Sequence, residues 1–335
     1  MMKYLFLILS LYVFSACSPK STPLYLTPVY IKEEIQAQEA DYEDPIVDIL
    51  FVVDSSGSMG SHQTNLIQNI DLFTNVFLLN SKIDYHIGVL TTDMCDDFSP
   101  SKYCGGELVS EGKLTFVTRK TQNSSSILKQ NLKVGTSGSG TEKVFDPVYT
   151  ALSKKLNTTN TGFYRKEATL VTIFVTDAED QSNQVNAENL RDFLIKLKNG
   201  DASKIISLGV IVPSADQTCP RDAGIGPRDI ERFLSFFPLY TQTNILNLCS
   251  KTYGAELSKM ASSIIRQAAK VIYLRQRPIL GTLLVKYGQA ELPLDYKKGW
   301  SYDTYKNAVI LGDDIDWKSQ PLGSLIKVYF EPVKN

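Results

Sequence analysis

The sequence predicts an α/β fold: a doubly wound, mostly parallel sheet over residues 45–271, followed by a small β-rich module over residues 272–335. Three observations carry this reading. Val47, Ile49, Leu50, Phe51, Val52 and Val53 form a near-continuous apolar run, and residues 169–177 and 204–213 repeat the pattern, which suits strands covered on both faces. Segments of helical period stand between these runs, as a doubly wound sheet requires. Beyond residue 271 the pattern changes to short alternating or β-branched runs separated by Gly281, Gly288, Gly299, Gly312 and Gly323.

Taken in order, residues 18–44 are rich in Pro, Thr, Glu and Gln, lack a sustained apolar period and read as a tether. After the first buried strand, Leu66, Ile67, Ile70, Phe73, Val76, Phe77 and Leu78 recur at three- and four-residue steps, predicting a helix over 63–79 packed on the sheet. Residues 83–92 are the next strand, 114–118 a brief antiparallel edge strand, and 126–132 a short helix. Leu190, Phe193, Leu194 and Leu197 mark one face of a helix over 187–198. Residues 214–244 exceed an ordinary connection; within them Pro227 stands where a helix can begin, and Ile230, Phe233, Leu234 and Phe237 follow at helical spacing. A short strand at 245–248 and a closing helix at 255–271, with Leu257, Met260, Ala261, Ile264, Ile265 and Ala268 on its buried stripe, complete the domain. Strands of the C-terminal module fall at 282–287, 308–311 and 325–330, and Trp300, Tyr302 and Tyr305 read as packing residues in preference to a binding patch.

Chemistry concentrates where the first apolar run stops. Asp54, Ser56 and Ser58 alternate in a turn loosened by Gly57 and Gly60, so three short oxygen-bearing side chains can converge on one point. That donor set suits a hard cation: Mg²⁺ or Mn²⁺ takes about six oxygens and keeps several waters. The plain alternative is a polar strand-to-helix turn in which Ser58 caps the next helix.

Asp-x-Ser-x-Ser after an apolar strand resembles the metal-ion-dependent adhesion site of von Willebrand factor A domains. That resemblance implies a Thr in a glycine-rich loop before a helix and an Asp at the end of a later strand. Thr141 lies in a Gly/Ser loop ahead of Val144, Val148, Ala151 and Leu152 at helical spacing, and Asp177 ends the second buried run. The implied ligand set is therefore Asp54, Ser56, Ser58, Thr141 and Asp177, binding Mg²⁺, Mn²⁺ or Ca²⁺ directly or through water. The likeness covers residues 47–271. It departs from the family where Asp177 is followed by Ala178, Glu179 and Asp180 instead of Gly. Glu179, Asp180 and Asp93, the last at the end of the neighbouring strand, are candidate supporting residues, with turn capping the leading role for Asp93.

Lys3, the apolar residues 4–14 and the small residues before Cys17 form an export signal too short to span a bilayer. Phe14-Ser15-Ala16-Cys17 resembles a bacterial lipobox, which implies cleavage after residue 16 and lipidation of Cys17; Ser18 at the following position implies the outer membrane. Four further cysteines in an exported chain predict two disulfides with three possible pairings, of which sequence neighbours, Cys95–Cys104 and Cys219–Cys249, are favoured over zinc binding.

With 35 basic and 36 acidic residues, the chain carries no electrostatic footprint for nucleic acid, and its membrane contact is expected through the lipid anchor alone. An enzyme is not expected: no G-x-S-x-G elbow occurs, and His62 and His86, the only histidines, read as a surface helix residue and a half-buried strand residue. The leading expectation is a surface-anchored binding protein whose cation takes an oxygen from a protein or glycan ligand. The alternative is an envelope scaffold or assembly subunit that uses the fold structurally.

Overall fold

Six strands form the central sheet. In the computed structural model, residues 30–31, 45–79, 83–95, 101–219, 226–238, 243–312, 314–316, 319–320 and 325–333 are described. The export signal, Cys17 and the tether apart from two residues lie outside that set. In chain order the elements are β1 (Tyr30–Ile31), β2 (Ile46–Val53), α1 (Gly60–Leu79), β3 (Asp84–Thr91), β4 (Phe116–Thr118), α2 (Ser124–Leu132), α3 (Phe145–Ala151), β5 (Thr169–Thr176), α4 (Ala187–Leu197), β6 (Ile205–Ile211), α5 (Arg228–Ser235), β7 (Ile245–Asn247) and α6 (Tyr253–Ala268). The C-terminal module adds β8 (Val271–Tyr273), β9 (Leu284–Tyr287), β10 (Ala290–Glu291), β11 (Trp300–Asp303), β12 (Ala308–Leu311) and β13 (Leu325–Tyr329).

The central order is β4-β3-β2-β5-β6-β7, parallel throughout except for β4, which runs antiparallel to β3. The continuous apolar runs are explained by burial on both faces. Val47, Ile49, Phe51 and Val53 of β2 pack with Leu66, Ile70 and Phe73 of α1 and Leu257, Ala261 and Ile264 of α6. Leu50 and Val52 face the other layer, with Phe145 and Val148 of α3, Leu190 and Leu194 of α4, and Phe233 and Leu234 of α5. Phe145, Phe174 and Phe233 meet there with ring centroids 5.2–6.0 Å apart.

The chain leaves β2 for β3 on one side and later enters β5 on the other. The connections therefore diverge between β2 and β5, the switch point outside whose carboxyl ends ligands bind in open α/β sheets.

Two expected helix boundaries shift by three residues. Helix α1 begins at Gly60, because a 3-10 turn over Gly57–Met59 leads straight into it and its first turn is polar, invisible to an apolar period. The closing helix stops at Ala268, and Val271, expected as its last residue, already pairs with Ile310 as a strand of the C-terminal module. The module is two small sheets, β11-β12-β8 and β1-β13-β9-β10. Within the stretch read as a tether, Tyr30–Ile31 pairs in parallel with Leu325 and Ile326, so this part of it is a sheet edge. Trp300 is buried and donates its indole N–H to the Leu292 carbonyl at 3.0 Å, and Tyr302 packs beside the same core. Tyr305, read with them as packing, is instead 96% exposed. Among the described residues no helix is long and apolar enough to cross a membrane.

Candidate functional site

Asp54 and Asp177 stand one residue beyond the ends of β2 and β5, at the switch point. Their spacing follows from the ladder: the Asp54 N–H still donates to the Val175 carbonyl at 2.9 Å, so both carboxylates emerge from the same edge. The chain then turns, with Ser56 in extended conformation. The alternative cap by Ser58 is not formed, since Ser58 lies inside the 3-10 turn, and at the N-cap position the Ser56 hydroxyl makes no cap bond. It lies 3.0 Å from the Ser58 hydroxyl, which donates to Asp177 Oδ1 at 3.0 Å. Asp54, Ser56 and Asp177 are buried, whereas Ser58 is exposed and opens the cluster to solvent.

Asp54 is held firmly. Its Oδ1 accepts the Ser56 N–H at 2.8 Å, its Oδ2 accepts the Thr176 hydroxyl at 2.7 Å, and its carbonyl accepts Gln63 Nε2 at 2.9 Å. Burial pushes its pKa up to about 6 against these hydrogen bonds, and the neighbouring Asp177 adds to the rise.

The glycine-rich loop packs directly on this turn. The Gly138 N–H donates to the Ser55 carbonyl at 2.9 Å, and a Cβ on Gly138 would stand 2.2 Å from Ser55 Oγ and 2.5 Å from Ser101 Oγ. Only glycine permits that approach. What the loop presents differs from the expectation. Thr141 is exposed, its N–H donates to Ser139 Oγ at 2.9 Å, and its side chain makes no hydrogen bond among the described residues. Its neighbour Glu142 is 1% exposed and points inward. Glu142 Oε2 accepts the Thr92 hydroxyl at 3.2 Å, while Oε1 is buried with no hydrogen-bond partner. Burial and then the Asp54 charge push the Glu142 carboxyl up to about 8, partly offset by the Thr92 and Ser56 hydroxyls, with Asp177 adding to the rise. The sequence signal for Glu142 is slight: it is the first charged residue after an uncharged Ser/Gly/Thr stretch, next to the threonine that the resemblance singles out.

The other acidic candidates serve the backbone. Both Asp93 oxygens are taken, Oδ1 by the Cys95 N–H at 2.8 Å and Oδ2 by the N–H groups of Ser101 at 2.6 Å and Ser139 at 3.3 Å. Asp93 thus ties the disulfide loop to the glycine-rich loop. Asp180 caps α3, accepting the Val144 and Phe145 N–H groups at 2.7 and 3.1 Å, and its pKa is pushed up to about 6, chiefly by burial. Glu179 accepts the Asp229 N–H near the start of α5 at 3.1 Å. Asp146, unforeseen from the sequence, is fully buried and accepts three N–H groups of the following loop, from Asn183, Gln184 and Val185 at 3.0–3.1 Å. Cys95 is bonded to Cys104 and Cys219 to Cys249, the pairing of sequence neighbours.

The oxygens fit a hard cation. Two buried carboxylates and two hydroxyls lie in one hydrogen-bonded cluster, and an unpartnered carboxylate oxygen is buried alongside. Among the described residues no group of three or more His, Cys, Asp or Glu side chains is placed to hold a metal ion, so a cation here depends on hydroxyls and water for part of its shell.

Fold and site together define a doubly wound α/β domain with an acid-and-hydroxyl cluster at its switch point. No family model and no curated protein matches the chain. Solved structures similar to it include proximal thread matrix protein 1 from the mussel byssus, at 12% identity and TM-score 0.36 over 68% of this chain and 49% of that one. The same mussel protein with a zinc-occupied MIDAS motif matches at 14% identity and TM-score 0.36, with the same coverages of 68% and 49%. The pilus adhesin SpaC of Lactobacillus rhamnosus GG, in its open conformation, matches at 11% identity and TM-score 0.40 over 84% of this chain and 38% of that one. The matched region thus spans about half of the mussel chain and less of the adhesin. The functional reading rests on the site geometry.

Proposed function

We propose that this chain is an exported protein, lipid-anchored through Cys17 to the bacterial envelope at the outer membrane, whose α/β domain binds a divalent cation at the switch point and through it a protein or glycan ligand. The observation that carries the reading is the linked cluster of Asp54, Ser56, Ser58 and Asp177, built by two adjacent strand ends and opening to solvent at Ser58. These are four of the five residues that resemble the metal-ion-dependent adhesion site of von Willebrand factor A domains, the fifth being Thr141.

Asp54 and Asp177 would hold the cation by charge, and Ser56 and Ser58 would fill neutral positions without quenching that charge. A bound divalent cation supplies a Lewis-acidic centre that takes one further oxygen, from the ligand. Thr176 and Gln63 orient Asp54, and the Asp93-anchored loops frame the face. The protein acts by binding and not by catalysis in this reading, and its histidines support it: His86 Nδ1, on β3, lies 2.7 Å from the carbonyl of Phe163 in the loop before β5, and His62 sits in the first turn of α1.

Calorimetric titration of Mg²⁺, Mn²⁺ and Ca²⁺ into the purified mature chain tests the proposal. One saturable site that Asp54→Ala abolishes is expected. A folded wild type that binds none of the three ions refutes it and leaves the envelope-scaffold reading, which needs no metal.

A further inference from the structure

We propose that Glu142, and not Thr141, supplies the metal-binding oxygen of the glycine-rich loop, making the site a three-carboxylate centre that prefers Ca²⁺ to Mg²⁺. The inference rests on the metal-binding reading above and replaces one member of its ligand set.

The first ground is an accounting of buried carboxylate oxygens. Asp54, Asp93 and Asp146 have donors on both of theirs. Glu142 Oε1 is the only buried carboxylate oxygen without a partner among the described residues. A purely structural acid gains nothing by burying an unpaired oxygen, since that forgoes a hydrogen bond and incurs desolvation. An oxygen meant for a cation has reason to stay unpaired by the protein.

The second ground is restraint. The Glu142 carbonyl accepts the Gln181 N–H at 2.7 Å, and the next N–H, of Lys143, donates to the Thr92 carbonyl at 3.3 Å. The backbone on both sides is thereby stitched to the loops after β5 and β3, and the side chain is kept inside, within electrostatic range of Asp54, Asp177 and the Ser56 hydroxyl. Thr141 is exposed, and its N–H is held locally, by the Ser139 hydroxyl of the same loop.

The third ground is the chemistry of the set. Asp54, Glu142 and Asp177 with Ser56 and Ser58 offer more anionic oxygens than a site of two carboxylates. Ca²⁺ takes 6–8 oxygens in flexible geometry, including carboxylates that bind through one or both oxygens, whereas Mg²⁺ demands a near-ideal octahedron. In this structure no group of three or more His, Cys, Asp or Glu among the described residues is placed to hold an ion, so the three acids have to draw together on binding, and the ion that tolerates uneven distances is the better fit.

The test is calorimetric titration of Ca²⁺ and Mg²⁺ into the full mature chain, its Glu142→Gln and Thr141→Val variants, and Asp54→Ala as a reference. The expected result is tighter binding of Ca²⁺ than of Mg²⁺ by the wild type, a loss of about tenfold or more in Ca²⁺ affinity for Glu142→Gln, and a change within about twofold for Thr141→Val. Retained cooperative unfolding of Glu142→Gln in chelator separates lost ligation from lost fold. If Asp54→Ala abolishes binding while Glu142→Gln leaves it within about twofold, or if Mg²⁺ binds more tightly, this inference falls and the metal-binding reading stands. A wild type that binds neither ion overturns both.

Discussion

Asp54→Asn is expected to stabilise the metal-free protein while destroying its metal site. The amide is isosteric with the carboxylate: its oxygen can keep the Ser56 N–H and its NH₂ can donate to Thr176, whose hydroxyl reverses from donor to acceptor. What the substitution removes is a buried negative charge beside Asp177. The pKa of Asp54 rises from 3.8 to about 6, which corresponds to about 3 kcal/mol at 1.36 kcal/mol per pKa unit. The sign is that of a raised acid. The unfolded chain releases its proton near pH 4 and the folded one only near pH 6, so this group's contribution to stability is fully present below about pH 4 and is lost as pH rises through about 6. At pH 7 in chelator, Asp54→Asn should therefore exceed the wild type by up to about 3 kcal/mol, or about 6–12 °C in Tm for a domain of this size. At pH 4 the two should converge. Urea unfolding at both pH values, with calorimetric titration of Ca²⁺ and Mg²⁺ alongside, measures this. A variant less stable than the wild type at pH 7, or an advantage that persists unchanged at pH 4, would refute the electrostatic argument.

Two further outcomes follow from the loops that frame the site. Asp146→Ala strips the acceptor from three backbone N–H groups of the loop after Asp177. At about 1–3 kcal/mol for each buried donor left unpaired, the loss should be about 3 kcal/mol or more in urea unfolding, and Asp146→Asn should cost clearly less. Replacing Cys219 and Cys249 together by Ser opens a loop with a sequence separation of 30, against 9 for Cys95 and Cys104. Loop entropy puts the losses at about 3–4 and about 2–3 kcal/mol respectively. Equal destabilisation by the two double variants would count against the entropic account.

The architecture was legible because burial leaves a direct trace in sequence. A strand covered on both faces must be apolar at successive positions, and β2, β5 and β6 show that run. Amphipathic helices leave a period, and α4 and α6 were found close to their bounds. Polar helix ends leave none, which is why the first turn of α1 escaped. The pairing of β1 with β13 escaped for a different reason: each register pair is a contact between residues almost 300 apart in the chain, and two residues are too few to show alternation.

The candidate site divides along the same line. Asp54 and Asp177 were locatable because each ends a buried strand, and a parallel sheet brings the carboxyl ends of neighbouring strands to one edge. The approach of Asp54 to Ser56 and Ser58 follows from four residues of chain. The roles of the remaining acids do not, because a carboxylate outside the strands reads alike whether it faces a cation, as argued for Glu142, or backbone N–H groups, as Asp93, Asp146 and Asp180 do. Thr141 and Glu142 are adjacent, so one sequence position decides which side chain enters the cluster. The close seat of Gly138 on Ser55, the Ser139 hydroxyl that holds the Thr141 N–H and the Gln181 N–H that holds the Glu142 carbonyl make that choice. The sequence by itself determined the sheet and the edge at which its acids gather; tertiary packing decided which oxygens face inward, because that depends on backbone hydrogen bonds between loops far apart in the chain.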